Sequence, residues 1–253
     1  MPNSESGFTR GVVYFAAGWK LIRQKGLRRY VLVPVCINTL VFIALGWFAF
    51  AQLDLWMTSL TFVDRFSDWK IVQIFASVMR FLAAIVVIFV FTYAYTLLAN
   101  FLAAPFNGLL AEKVEAHLGG ADTTDSFSFV ALLKSTPGLI WSEVRKLIYL
   151  ALWMIPLLLI YLIPVVNFIA PFLLVLFGAW MFALEYMDYP MGNHGHGFSG
   201  VRKTLKSQRK TAIGFGLPVA ALSAVPVLNI IVMPMAVAGA TQWYVSSRES
   251  VLA

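Results

Sequence analysis

The sequence predicts an all-α integral membrane protein with an amphipathic N-terminal helix, two long transmembrane helices and two proline-broken, partly membrane-inserted helical hairpins. Three observations lead there. Charged residues make up only 12% of the chain and hydrophobic residues 60%, where an ordinary soluble domain carries about 25% charged residues. Four long runs carry no charge at all, and the last two of them resemble one another. Residues 1–253 therefore read as a single membrane domain. Within it, 1–29 form an interfacial helix and a candidate anion motif, 30–111 two long transmembrane helices, 147–184 the first hairpin and 211–247 the second.

The opening Met-Pro-Asn-Ser-Glu-Ser-Gly lacks the basic-then-apolar pattern of a cleaved signal peptide. Over residues 8–25, Phe8, Val12, Phe15, Trp19 and Ile22 recur at helical spacing beside Arg10, Lys20, Arg23 and Lys25. That pattern predicts a helix lying in the membrane interface. Tyr30 to Leu53 is uncharged for 24 residues, enough for one span of about 20. Pro34 sits near its start, where a missing N–H costs little, and Asn38 needs a partner inside the run. Phe81 to Ala111 is uncharged for 31 residues, so this helix is tilted, extended or broken. A break is expected between Asn100 and Glu112, where Pro105 and Gly108 both oppose a regular helix. Residues 112–146 are polar enough to face water, with a loop at 119–125 and a new helix opening between Lys134 and Lys146.

Leu147 to Leu184 and Thr211 to Ser247 are uncharged for 38 and 37 residues. Ile155-Pro156 matches Leu217-Pro218, and Ile163-Pro-Val-Val-Asn167 matches Val225-Pro-Val-Leu-Asn229, both at an offset of 62. With one inserted residue, Pro171 matches Pro234 and Trp180 matches Trp243. These are two copies of a helical hairpin turning at Pro-Val-x-Asn. Arms of about 15 residues make roughly 22 Å of helix, short of a hydrocarbon core about 30 Å thick. Hairpins that enter part-way fit that length; ordinary hairpins with short turns are the other reading. Asn167 and Asn229, at the tips, are expected to be buried in protein or to line water, because irregular backbone does not face lipid.

Either kind of hairpin returns the chain to its starting side. The segments on that side carry 16 Lys or Arg residues, against three in 54–80. The positive-inside rule then places both termini in the cytoplasm. None of the four runs contains Asp, Glu, Lys, Arg or His. An enzyme working in the bilayer has no nucleophile, acid, base or metal ligand there, so no enzyme activity, cofactor or metal is expected. The single cysteine, Cys36, excludes a disulfide framework, and no nucleic-acid motif is present. Glu185-Tyr-Met-Asp188-Tyr-Pro-Met-Gly-Asn193-His194-Gly-His196 gathers carboxylates and imidazoles, from which a metal or hydrolytic site could be drawn. Its histidines flank a glycine and no nucleophile accompanies them, so it reads as a structural loop. Asn38, Asn100, Asn107, Asn167 and Asn229, with Glu112, are candidates either to line a path for an ion or to bond neighbouring helices.

Gly26-Leu27-Arg28-Arg29 stands between the first helix and the first long apolar run. A helix start offers four N–H groups without intrahelical partners and the positive end of the macrodipole. Gly26 permits close backbone approach, and the two arginines add charge and planar donors. This assembly suits a small oxyanion. Interfacial anchoring of Arg28 and Arg29 on lipid phosphates is the alternative.

Five pieces carry a resemblance: Gly18-Trp19-Lys20-Leu21; Gly26-Leu27-Arg28-Arg29; Gln52-Leu53-Asp54; Ala104-Pro105-Phe106-Asn107-Gly108-Leu109-Leu110-Ala111-Glu112; and Leu184-Glu185-Tyr186-Met187-Asp188-Tyr189-Pro190 with Asn193-His194. In these the sequence resembles the CysZ family of bacterial sulfate permeases. The resemblance implies a homo-oligomeric protein of the inner-membrane bilayer that supplies sulfate for cysteine biosynthesis. It also implies sulfate binding at Gly26, Leu27, Arg28 and Arg29. The stretch Gly195-His196-Gly197 is no part of it. Between Glu5 and Asp54 there is no Asp or Glu, and a donor-only site favours unprotonated sulfate over phosphate, whose protons need an acceptor. The family is described as proton-linked, yet Glu112, His117 and His194 lie only at span ends. A channel-like or facilitated path is therefore expected, with proton linkage as its rival. A non-transporting membrane assembly or lipid-modifying factor on the same fold is the alternative of a different class.

Overall fold

The computed structural model describes residues 6–60, 69–119 and 129–252. The expected loop at 119–125 lies outside them apart from Gly119. Eight α-helices are present among the described residues: α1 (Gly7–Ile22), α2 (Arg28–Leu60), α3 (Lys70–His117), α4 (Phe129–Leu162), α5 (Ala170–Asn193), α6 (Phe198–Ser207), α7 (Arg209–Ser223) and α8 (Pro226–Leu252). A 3-10 turn, Asn167–Ile169, joins α4 to α5, and these residues include no strand. Five stretches are long and apolar enough to cross a membrane: Arg28–Gln52, Lys70–Tyr93, Trp141–Leu162, Asn167–Asn193 and Leu228–Glu249. The chain is an all-α, multi-pass membrane protein.

It divides into two compact units. One is Leu32–Pro105, the central parts of α2 and α3. There Phe42 meets Phe91 and Tyr95 at ring-centroid distances of 6.1 and 5.0 Å. Trp47, Phe50, Ile71 and Phe89 point outward and exposed, as on helices that face lipid. The expected break at Asn100–Glu112 is absent. The 48-residue α3 continues as helix through Pro105 and Gly108 and is extended, since about 72 Å of helix exceeds any bilayer core. A proline in a helix interior costs about 3 kcal/mol. Hydrogen bonds from the residues just beyond Pro105 to α5, described below, work against that cost.

The other unit is Met1–Val31 with Phe106–Ala253. Its core combines large buried side chains such as Trp243, Phe215 and Met187 with close backbone approach at glycines. A Cβ added to Gly11 would lie 2.1 Å from the Thr211 carbonyl oxygen, and one on Gly18 2.0 Å from that of Met235. The fit is reciprocal: Gly214 meets the Phe8 carbonyl and Gly239 that of Tyr14. Small residues at helix contacts are what membrane helices use when apolar burial cannot drive association. The helix α1 is therefore docked along α7 and α8, and not merely laid on an interface. Its buried stripe is Gly11, Phe15, Gly18 and Ile22 with Leu21, while Phe8, Val12 and Trp19 of the expected apolar face are exposed. Phe15 and Ile22 of that face are buried, and because glycines carry no hydropathy signal, side-chain periodicity misses Gly11 and Gly18 beside them.

The two hairpins share their tip geometry. Ile163 N–H donates to the Ile160 carbonyl (3.2 Å) and Asn167 N–H to that of Ile163 (3.0 Å). Val225 to Leu222 and Asn229 to Val225, 62 residues on, repeat both bonds at 3.2 and 3.0 Å. The copies differ elsewhere. Trp243 Nε1 donates to Gln208 (2.8 Å), whereas Trp180 Nε1 is enclosed without a partner among the described residues. The first copy carries Arg145-Lys146 in place of Gln208, and both of these only donate. Arms of about 15 residues hold only for α7; α4, α5 and α8 have 34, 24 and 27. They outrun the uncharged segments because Glu, Lys and Arg are good helix formers. The helical reading reaches Asn193, so Glu185 to Asn193 form the last turns of α5 and not a loop.

Gly18→Ala should lower thermal stability by about 1–3 kcal/mol, the usual cost of overpacking a filled core, read as a lower melting temperature of the purified protein. A methyl group added at Gly178 would meet nothing within 4 Å, and Gly178→Ala should leave stability unchanged or raise it by about 0.5–1 kcal/mol. Equal behaviour of the two variants would mean that the glycine contact does not hold α1 in place.

Candidate anion-binding site

The turn between α1 and α2 is pinned at both ends by apolar side chains. Ile22 closes α1 at 6% exposure, and Leu27, just before α2, is 4% exposed. Between them Gly26 takes φ +98° with open space around it. This left-handed conformation is costly for any residue with a Cβ. Glycine is thus required by the backbone, and the same choice leaves the turn unshielded. Of the four N–H groups that open α2, two are already engaged: Arg28 N–H donates to the Gln24 carbonyl (3.4 Å) and Tyr30 N–H to that of Leu27 (3.0 Å). The turn consequently relies more on side chains than a bare helix start would.

Arg28 Nε donates to the Arg23 carbonyl at 2.6 Å, which orients the guanidinium while leaving its terminal nitrogens outward. Arg29 donates to Tyr30 Oη (3.1 Å) and lies 4.9 Å from that ring's centroid. Arg23, Lys25, Arg28 and Arg29 gather within seven residues. None has a carboxylate partner among the described residues. Four cations on an exposed turn, with no carboxylate partner among the described residues, leave this turn positively charged and without an acidic acceptor in residues 6–53.

The other polar candidates are scattered. Asn38, in α2, has its amide oxygen enclosed and without a partner among the described residues. Asn100 is in the helical backbone of α3, and its side chain lies outside the described residues. Asn167 and Asn229 are exposed at their tips. Glu112 pairs with Lys113 at 2.8 Å. Asn107 is buried and donates from Nδ2 to Tyr189 Oη (3.2 Å).

That last bond belongs to a polar seam between the end of α3 and the end of α5. Asn193 Nδ2 donates to the Gly108 carbonyl (2.9 Å). His194 Nε2 lies 2.9 Å from both carboxylate oxygens of buried Glu115, which Arg248 approaches to 3.6 Å. A second cluster links α4 to α5. The Nζ of Lys146, 6% exposed, reaches Glu185 (2.8 Å), Glu143 (2.9 Å) and Asp188 (3.1 Å). Reading 185–196 as a loop hides both arrangements. The i, i+3 spacing of Glu143 with Lys146, and of Glu185 with Asp188, is the signal that finds the second. Glu185, Asp188 and His194 are thus divided between two ion-pair clusters. Among the described residues no group of three or more His, Cys, Asp or Glu is placed to hold a metal ion.

The seam overlaps the two longest pieces of the resemblance drawn from the sequence, Ala104–Glu112 and Leu184–Pro190 with Asn193-His194, and Glu115 lies just beyond the first. Residues 14–234 match the family described as sulfate transporter CysZ/etoposide-induced protein 2.4. The chain belongs to this family. The sulfate transporter CysZ of Pectobacterium atrosepticum is 41% identical over 236 residues, covering 93% of this chain and 84% of that protein. That of Salmonella typhimurium is 40% identical over 236 residues, covering 93% and 91%. The match to the CysZ family spans the cationic turn, the seam and both hairpin tips.

Replacing Lys146 with Met leaves three carboxylates facing one another. We expect a loss of about 3 kcal/mol, the lower end for breaking a buried pair, because the side chains of Glu143 and Glu185 remain 57% and 43% exposed. Adding Asp188→Asn should recover part of it. A melting temperature unchanged by Lys146→Met would mean that the cluster does not hold α4 to α5.

Proposed function

We propose that this protein carries sulfate into the cell across the bacterial inner membrane, supplying sulfur for cysteine biosynthesis, and that Gly26, Leu27, Arg28 and Arg29 bind the ion. The observation that carries the reading is the cationic, carboxylate-free turn, in a chain 40–41% identical to proteins named sulfate transporters. Sulfate only accepts hydrogen bonds at neutral pH, so donors without an acidic neighbour suit it better than phosphate. Absence of Asp, Glu, Lys, Arg and His from the four apolar runs supports a channel-like or facilitated path, drawn inward by sulfate consumption, over a proton relay. Asn38, Asn100, Asn107, Glu112, Asn167 and Asn229 are the polar groups proposed to line this path or to bond its helices.

We place both termini in the cytoplasm on the bias of Lys and Arg, and the whole of 1–253 in one membrane domain. The 15-residue α7 is about 22 Å long, which supports part-way insertion of the second hairpin. Exposed Asn167 and Asn229 beside exposed Ile163, Val165 and Ile230 support a homo-oligomer that covers the tips. A non-transporting assembly or lipid-modifying role finds no support in the relatives' names.

Purified protein in sulfate-free liposomes should raise sulfate permeability without an imposed pH gradient. Flux that appears only with a gradient would replace the facilitated path by proton linkage, and no flux at all would return the protein to a non-transporting role. Arg28→Ala should weaken sulfate binding roughly 10- to 150-fold, the loss of one charge-assisted hydrogen bond. Arg28→Lys should fall between, keeping the charge without the planar fork. Calorimetry on the variants checks this. Unchanged affinity in an Arg28→Ala, Arg29→Ala double variant would leave the arginines as interfacial anchors.

A further inference from the structure

Away from the turn, α4 and α6 enclose a groove of about 530 Å³ with a divided chemistry. Arg145, Arg202, Lys203 and Lys206 line it together with Ile148, Leu152, Tyr149 and Phe198. The helix α6 explains the cationic side. Phe198, Val201 and Leu205 turn into the core, which leaves Lys203 on the outer face and Arg202 and Lys206 on the flank beside Phe198. Phe198 N–H donates to Ser142 Oγ (3.1 Å) and holds the start of α6 against α4. Arg202 lies 5.1 Å from the Tyr149 ring and Arg145 5.3 Å from that of Trp141. None of the four cations has a carboxylate partner among the described residues.

The apolar side is directional. Arg145, Ile148, Leu152 and Ile155 follow one another at three- and four-residue steps along α4, so they form one stripe. Ile148, Leu152 and Ile155 are 51%, 62% and 56% exposed. The stripe begins beside Trp141, the first residue of a stretch apolar enough to cross the membrane, and runs into that stretch. The connection from α5 to α7 crosses at the same end, because α6 follows the apolar stretch Asn167–Asn193. Cations stand at the mouth and an apolar track descends from it. A small free anion uses the first and leaves the second bare.

We propose that this groove is a binding site for an anionic phospholipid. The phosphodiester is held by Arg145, Arg202, Lys203 and Lys206, and one acyl chain lies along Ile148, Leu152 and Ile155. Basic pockets between membrane helices recognise anionic headgroups in this way. The exposed lysines contribute charge, while Arg145 and Arg202, steadied by aromatic rings, contribute the planar donors that fit phosphate oxygens.

The test is native mass spectrometry of the full-length protein released from detergent with phosphatidylglycerol or phosphatidylcholine of equal chain length. Phosphatidylglycerol should be retained at least 10-fold better by the wild type, and 10 mM free phosphate or sulfate should not displace it. Lys203→Gln with Lys206→Gln, both at the surface, should reduce retention roughly 30-fold at about five-fold per charge. Arg145→Gln, on the other helix, should reduce it independently. Equal retention of the two lipids would overturn the proposal, as would retention indifferent to all three substitutions. Displacement by free phosphate would make the groove a simple anion site. Loss of oligomer in the double variant with lipid retention unchanged would assign the groove to a second copy of this chain.

Discussion

Where the carbonyls of Thr211 and Met235 press against Gly11 and Gly18, α1 has no room for a single methyl group. In lipid the exclusion of apolar surface from water does little to bring helices together, so van der Waals fit at such contacts carries much of the association. The position of α1 on α7 and α8 depends on it. So does the turn that follows, because Ile22 and Leu27 anchor that turn to the same core. The location of the cationic residues 23–29 is therefore decided at Gly18 and Gly11, about 7 and 18 Å of helix before Arg23.

Polar contacts organise the other side of the core. Asn107, Gly108 and Glu115 of α3 find their partners on or just after α5, in Tyr189, Asn193 and His194. Lys146 binds α4 to the same helix through Glu185 and Asp188. Buried amides and charges demand specific partners because leaving them unpaired in a low-dielectric surrounding is expensive. Glycine contacts let helices approach, and these bonds choose the register in which they do so. Asn107, Gly108, Tyr189, Asn193 and His194 belong both to this seam and to the stretches that carry the resemblance, so these stretches are parts of the fold as well.

The repeat, the apolar runs and the cationic turn were legible residue by residue. Pro-Val-x-Asn recurs after 62 residues and its two backbone hydrogen bonds recur with it. The expected break at Pro105 failed because local propensity is outweighed where the next turns of α3 are bonded to α5. The apolar face assigned to α1 held at Phe15 and Ile22 but missed Gly11 and Gly18, because hydropathy counts Phe8 and Trp19 and ignores glycine. Reading Glu185 to Asn193 as a loop failed for a related reason. Acidic residues end an apolar run without ending a helix, and Lys146, 39 residues earlier, supplies the charge that lets them stay helical beside the core.

By itself the sequence determined the class of the protein, since so few charges and such long apolar runs admit only helices in a bilayer. It also determined the donor-only chemistry of Gly26 to Arg29, which follows from residue types alone. Only the tertiary structure decided which groups remain free to act. Lys146 and Arg28 are both cations on paper. One is enclosed by three carboxylates, and the other is exposed and, among the described residues, has only a backbone carbonyl as partner. That difference depends on which helices pack together, and helix packing here turns on glycines and long-range polar bonds that no local pattern records.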